Sequence, residues 1–231
     1  MGLPLPRSRR QPRRPRRSSS RVRLGVLGGT FDPPHAGHFL AAVDAVEALG
    51  LDRLLIIPAA AQPLKTDSPA SATAAQRLDM VRLAFGNDAR FEVSSMEIDR
   101  GGLSYTVDTL EAVSVAYPGH ELVLVAGADA LATFDRWKNT SRILELAKVA
   151  GVSRNTTGLS GQTTDAARVP DWAAPVTARR VDVSSSEIRR RLREGKSISG
   201  FVAKSVEQYI SAAKLYRSSH GIEVNLRSIP A

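Results

Sequence analysis

Gly28-Gly29-Thr30-Phe31-Asp32-Pro33-Pro34-His35-Ala36-Gly37-His38 concentrates the side chains that could do chemistry. It follows the apolar run Val22–Leu27 and leads into a segment of helical spacing from Gly37. It therefore stands at the carboxyl end of a strand, where open α/β sheets bind their ligands. Glycines there let backbone amides come close to a ligand. A helix start adds free N–H groups and the positive end of a dipole. His35 and His38 are three apart and share one face of that helix start. Two imidazoles at an anion site suit a triphosphate, because they can donate to oxygens that gain charge in a phosphoryl-type transition state. The stretch is neither a P-loop nor a dinucleotide fingerprint, since it lacks both Gly-Lys-Ser/Thr and G-x-G-x-x-G. Two plainer readings stand beside this one. A histidine near a helix start can be a cap or a surface residue. A histidine pair can also ligate a metal, although no third ligand lies at a usual spacing. Two of the four histidines of the chain fall in this one turn, which favours the phosphate reading.

The elements that must carry this turn alternate. Strand-like runs are Val22–Leu27, Leu54–Pro58, Phe91–Met96, Leu122–Ala126, Val149–Ser153 and Val176–Val183. Helical spacing covers Gly37–Leu49, Gln76–Phe85, Thr106–Val115, Ile143–Lys148, Ser184–Glu194 and Lys204–Ala213. Continuous Val/Leu/Ile runs are what strands buried on both faces require. The pattern predicts a Rossmann-like, doubly wound parallel sheet in a three-layer α/β/α arrangement. Residues 154–175, rich in Thr, Gly, Ala and Pro, are expected to form a loop. Ser184 with Glu187 three residues later is a capping-box pattern, and Gly195 marks that helix's stop.

The 231 residues have room for one domain of generous size, and no internal repeat is visible. With no cysteine, a disulfide scaffold, thiolate metal sites and a cysteine nucleophile are excluded. That composition suits a reducing compartment, and the cytoplasm is the expected location. No run approaches a membrane span. The net charge of +9 is confined to one end: residues 1–23 hold nine arginines and no acid, leaving 23 basic against 23 acidic residues in 24–231. Four prolines and a block of like charge predict that residues 1–21 are disordered. Such a tail could bind nucleic acid by counterion release, serve as an organellar transit peptide, or be an unselected extension ahead of a later start. The folded body is expected over 22–216, with a loose end at 217–231.

The Gly28–His38 stretch resembles the H-x-G-H signature of the nucleotidyltransferase superfamily, and most of all that of the bacterial nicotinate-nucleotide adenylyltransferases. Four further segments agree in order over about 170 residues. Pro58–Lys65 resembles the family's proline-rich loop ending in His-Lys or His-Arg. Ser104-Tyr105-Thr106-Val107-Asp108-Thr109-Leu110 resembles its S-Y-T-x-x-T-L segment. Gly127-Ala128-Asp129-Ala130-Leu131 followed by Trp137 resembles its G-x-D-x-L…W segment, and Val183–Arg189 its I-S-S-T-x-I-R motif. Two departures stand out. Leu64 replaces the usual histidine before Lys65, and Phe201-Val202-Ala203-Lys204 lacks the proline usual before the last helix.

The resemblance implies transfer of AMP from ATP to nicotinate mononucleotide, with Mg²⁺ on the departing phosphates and no resident metal. His35 and His38 would bind the ATP phosphates. Gly28, Gly29, Thr30 and Phe31 would line the floor shared by both nucleotides, and Asp129 would meet a ribose hydroxyl. Ser184, Ser185, Ser186 and Arg189 would hold ATP at a second helix start, or serve only as helix cap and surface arginine. Lys65 would neutralise phosphate charge or stand as a solvated lysine. Thr106 and Trp137 would recognise nicotinate, though Trp137 could be ordinary core, and Lys138 would add positive potential favouring the acid over the amide. Asp32 reads as a turn element. Both substrates are small molecules; a homo-oligomer is left open. Two alternatives remain: adenylyl transfer to another acceptor, and a non-catalytic nucleotide- or nucleic-acid-binding protein that works through the arginine tail.

Overall fold

The computed structural model describes residues 21–65, 69–154 and 168–217. The arginine-rich segment up to residue 20, most of the expected loop after Arg154 and the end from residue 218 lie outside them. Six strands alternate with helices: β1 (Arg23–Gly29), β2 (Arg53–Pro58), β3 (Phe91–Val93), β4 (Glu121–Gly127), β5 (Lys148–Arg154) and β6 (Ala174–Ala178). All neighbouring pairs are parallel, in the order β3-β2-β1-β4-β5-β6. The helices are α1 (Ala36–Leu49), α2 (Ala74–Phe85), α3 (Met96–Arg100), α4 (Thr106–Ala116), α5 (Ala128–Leu131), α6 (Thr140–Leu146), α7 (Ser185–Arg193) and α8 (Lys204–Ala212). Chain order reverses between β1 and β4, so a crevice opens at their carboxyl ends. Gly28-Gly29 and Gly127 flank it.

Side-chain alternation explains why helices cover both faces. Leu54 and Ile56 of β2 join α1 and α2 in one core, with Val43, Val46, Val81 and Phe85. Leu55 and Ile57 point the other way and pack with Val107, Leu110 and Val113 of α4 and Ile143 of α6. Burying such a side chain is worth roughly 1.5–3 kcal/mol, so a strand with both faces covered has no tolerance for polar substitution. A third cluster, Met80, Ile188, Ile198, Val206 and Ile210, seats α7 and α8 against the back of α2. That cluster holds the second expected phosphate-binding helix near the first.

Several boundaries move for local reasons. The expected strand Phe91–Met96 stops at Val93, and Met96 opens α3. The strand expected over Val176–Val183 runs instead over Ala174–Ala178. It ends where the Arg179 N–H leaves the sheet for Asp44 Oδ2 of α1, at 2.7 Å. The helix expected over Ile143–Lys148 begins at Thr140, because Asn139 Oδ1 accepts from Arg142 N–H. Lys148 already pairs with Val123 in the sheet. At α7, Ser184 caps the helix as expected, accepting from Glu187 N–H at 3.1 Å. No helix of the described residues is long and apolar enough to cross a membrane.

Candidate active site

The loop after β1 turns sharply to bring its histidines forward. Phe31 adopts φ 51°, a left-handed conformation costly for a bulky residue, and its ring is only 2% exposed. Packing holds it there: the ring meets Phe85 and the His38 imidazole edge-on, at 6.2 and 5.1 Å between centroids. Phe31 therefore supports the site from below and does not itself line the cleft. A Cβ on Gly29 would lie 2.9 Å from the Phe31 ring, so this turn admits only glycine there.

His35 is the N-cap of α1, and His38 sits three residues in. The His35 N–H donates to His38 Nδ1 at 3.3 Å. A neutral imidazole that accepts at Nδ1 carries its proton on Nε2, so the backbone sets the tautomer and leaves Nε2–H as the donor. The two rings stack 3.8 Å apart at 29°. A Cβ on Gly37 would fall 3.0 Å from His35 Nδ1, so the glycine makes room for that ring.

The start of α7 is tied directly to this loop. Ser185 Oγ donates to Pro33 O at 2.8 Å, and Arg189 Nη1 donates to Asp32 O at 2.7 Å. Each of the three serine hydroxyls has a local partner. Ser184 caps the helix, Ser185 holds the loop, and Ser186 Oγ accepts from Arg189 Nη2 at 3.4 Å. The two helix starts thus sit side by side with His35, His38 and Arg189 half-buried between them.

Next to this shelf lies a cleft of about 500 Å³ at the switch point. Gly28, Gly29, Thr106, Asp129, Trp137 and Lys138 line it. Thr106 opens α4, whose N-cap, Tyr105, makes no side-chain cap, so the helix's first N–H groups receive none from it. Trp137 leans on Phe134 at 5.3 Å and forms part of the cleft wall. Lys138 Nζ is paired with Asp108 at 2.9 and 3.2 Å and lies 4.6 Å from the centre of the Tyr105 ring. The backbone of Lys65 closes a 3-10 turn, Pro63–Lys65, at the cleft mouth. Its neighbour Leu64 lines the cleft and is 48% exposed. Ser104 joins the two mouth loops: its N–H donates to Ala61 O at 2.8 Å, and its Oγ accepts from Ala60 N–H at 3.0 Å. Among the described residues no group of three or more His, Asp or Glu could hold a metal ion.

Comparisons with known proteins bear on the family and the fold. A family model described as cytidylyltransferase-like matches residues 26–191. A relative from Gemmatimonas aurantiaca, named "probable nicotinate-nucleotide adenylyltransferase", is 47% identical over 85% of this chain and 93% of its own. A relative of the same name from Thermus thermophilus is 43% identical over 85% of this chain and its entire length. The chain belongs to the nicotinate-nucleotide adenylyltransferase family. Its fold matches the Plasmodium falciparum nicotinic acid mononucleotide adenylyltransferase solved with NaAD, with a TM-score of 0.64 at 15% identity over 84% of this chain and 97% of that one. The same enzyme solved with APC gives a TM-score of 0.63.

In this member of the family, most expected site residues fall into two groups, while Thr30, Phe31 and Lys65 are not among the residues lining the cleft. His35, His38, Ser184, Ser185, Ser186 and Arg189 form the shelf, whereas Gly28, Gly29, Thr106, Asp129, Trp137 and Lys138 line the cleft. Sequence reasoning passed over the residues that bind the groups together. Asp32 is not merely a turn element: it is 4% exposed and accepts from Ser71 N–H, Ala72 N–H and Tyr216 O–H. Arg77, 2% exposed, donates to Thr30 O and Ala60 O and so bridges the loops after β1 and β2. Burial draws its guanidinium below its ordinary pKa, and Asp32 works against that. Glu97, buried in the cleft wall, accepts from Thr109 Oγ1 at 2.6 Å and braces α4 against α3. One signal was available: Asp32 is the only formal charge between residues 24 and 43.

Proposed function

We propose that the chain transfers AMP from ATP to nicotinate mononucleotide, releasing pyrophosphate and forming nicotinate adenine dinucleotide. The observation that carries the reading is the adjacency of an anion shelf (His35, His38 and Arg189 at paired helix starts) and a cleft walled by Trp137 and the first turn of α4. One site suits a triphosphate and the other an aromatic ring with an acidic substituent.

In the reaction, a phosphate oxygen of the mononucleotide attacks the α-phosphorus of ATP. The bond from that phosphorus to the bridging oxygen breaks, and pyrophosphate leaves. The attacking oxygen is already ionised at neutral pH, so no general base is needed. Catalysis reduces to alignment and charge neutralisation, and alignment alone contributes roughly 7–11 kcal/mol. His38 Nε2–H and His35 donate to the triphosphate, and Arg189 with the α7 N–H groups of Ser185 and Ser186 completes the anion site. Ser184 acts through its cap. ATP enters with a divalent cation, which we take to be Mg²⁺. Asp129 takes a ribose hydroxyl, and the backbones of Gly28, Gly29 and Thr30 form the floor, with Phe31 packed beneath them. Lys65 lies on the loop nearest the converging phosphates.

For the ring carboxylate, the first turn of α4 at Thr106 supplies N–H donors, with Trp137 flanking the ring. Lys138 contributes its charge only together with that of Asp108, so preference for the acid rests mainly on α4. Pyrophosphate release from MgATP, measured with nicotinate and nicotinamide mononucleotides in parallel, tests the reading. The expected result is release with the acid far above that with the amide. Release with neither mononucleotide would overturn the proposal.

A further inference from the structure

We propose that Tyr216 is a positioning residue that keeps the Asp32 carboxylate from capturing Arg189, and so leaves that guanidinium presented to the ATP phosphates. The inference rests on the reading of Arg189 as an ATP ligand. A carboxylate facing an arginine ordinarily closes to a charge-assisted contact of about 2.7–2.9 Å. Here Arg189 Nη1 stands 3.7 Å from Asp32 Oδ2 and donates instead to the Asp32 backbone oxygen at 2.7 Å. Asp32 is nonetheless buried, and a buried carboxylate must have its lone pairs filled.

Three donors other than Arg189 fill them. Ser71 N–H donates to Oδ2 at 2.7 Å, while Ala72 N–H and Tyr216 O–H donate to Oδ1 at 3.1 and 2.7 Å. Two of the three are backbone groups fixed ahead of α2. The third comes from beyond α8, a position 184 residues away in the chain. The remaining cation near the carboxylate, Arg77, is held by its Nη bonds to Thr30 O and Ala60 O, although its Nε–H has no hydrogen-bond partner. Burial, reinforced by Asp32, holds the Tyr216 phenol above its ordinary pKa, which favours its role as a donor. If that hydroxyl is removed, Asp32 Oδ1 is short of a donor, and the guanidinium standing closest to the carboxylate is that of Arg189, 3.7 Å from Oδ2. A guanidinium drawn onto the carboxylate is withdrawn from the phosphate shelf.

Steady-state kinetics on the full chain test this with Tyr216→Phe, Arg189→Ala and the double variant. Tyr216→Phe keeps the ring and its packing. We expect it to raise the KM for ATP roughly threefold to tenfold, the range of one hydrogen bond, with kcat and the KM for nicotinate mononucleotide within about twofold of the parent. In the Arg189→Ala background the same change should add nothing to the KM for ATP, because the group it acts through is gone. A parallel loss in both KM values, kcat and Tm would mean a merely structural role and overturn the inference, as would full additivity in the double variant. If Arg189→Ala raises the KM for ATP and Tyr216→Phe does not, this inference alone falls. If Arg189→Ala leaves the KM for ATP unchanged, the assignment of Arg189 falls and carries the inference with it.

Discussion

His38 is defined by what its ring accepts. With Nδ1 occupied by the His35 N–H at 3.3 Å, its only remaining donor is Nε2–H. An asparagine at this position can still accept from the His35 N–H through its amide oxygen, but it has no atom where Nε2 stands. His38→Asn is therefore expected to keep the parent's melting temperature while losing roughly 10²–10³ in turnover, the usual cost of one preorganised donor. Unchanged turnover, followed by pyrophosphate release, would remove His38 from the chemistry. The histidine pair was legible because two scarce side chains recur three apart in a glycine turn. Asp32 and Tyr216 were not legible together, because their contact joins residues with no periodic relation. Lys138 was legible as a cleft residue, but Asp108, its partner, could not be seen from charge alone.

At the scale of elements, the site is two helix starts set edge to edge, and the first needs a residue that its helix would not choose. Gly37 lies in the first turn of α1, where alanine would favour the helix by up to about 1 kcal/mol. The same Cβ would meet His35 Nδ1 and Cε1 at 3.0 and 3.1 Å and press the ring off its stack with His38. Gly37→Ala should therefore leave stability equal or slightly higher while lowering kcat about tenfold, a change of roughly 1.4 kcal/mol in barrier. Paired thermal melts and kinetics check it; a fall in stability with kcat intact would reverse the argument. The long elements were readable because buried parallel strands and amphipathic helices leave strong periods. The short helices α3 and α5 were not, since four or five residues carry no period. The end of β6 was set by Asp44, a residue of α1 that local sequence does not bring near.

For the whole molecule, stability has a pH window that one contact at the sheet edge makes measurable. Tyr117, just beyond α4, donates its phenol hydrogen to Glu92 Oε1 on β3 at 2.6 Å, and Arg53 on β2 pairs with the other oxygen at 2.7 Å. The Tyr117 bond, aided by Arg53, holds the Glu92 carboxyl below its ordinary 4.5. Burial, with help from Glu92, pushes the Tyr117 phenol from 10.0 up to about 12. A lowered carboxylate stabilises the fold above its unfolded value and loses that contribution as pH falls through the folded one. A raised phenol contributes fully below pH 10.0 and loses its share as pH climbs toward about 12. The bond thus acts at full strength from about pH 5 to pH 9.5 and fails on both flanks. Tyr117→Phe should lower the free energy of unfolding most within that window, with a smaller difference from the parent at pH 11 and at pH 3.5. Denaturant unfolding of both proteins at pH 3.5, 7 and 11 measures it. The site lies at the opposite, carboxyl-end side of β1 and β4, so turnover at pH 7 should be unaltered in the variant. A constant difference across the three pH values would mean that the Tyr117–Glu92 hydrogen bond does not carry the effect.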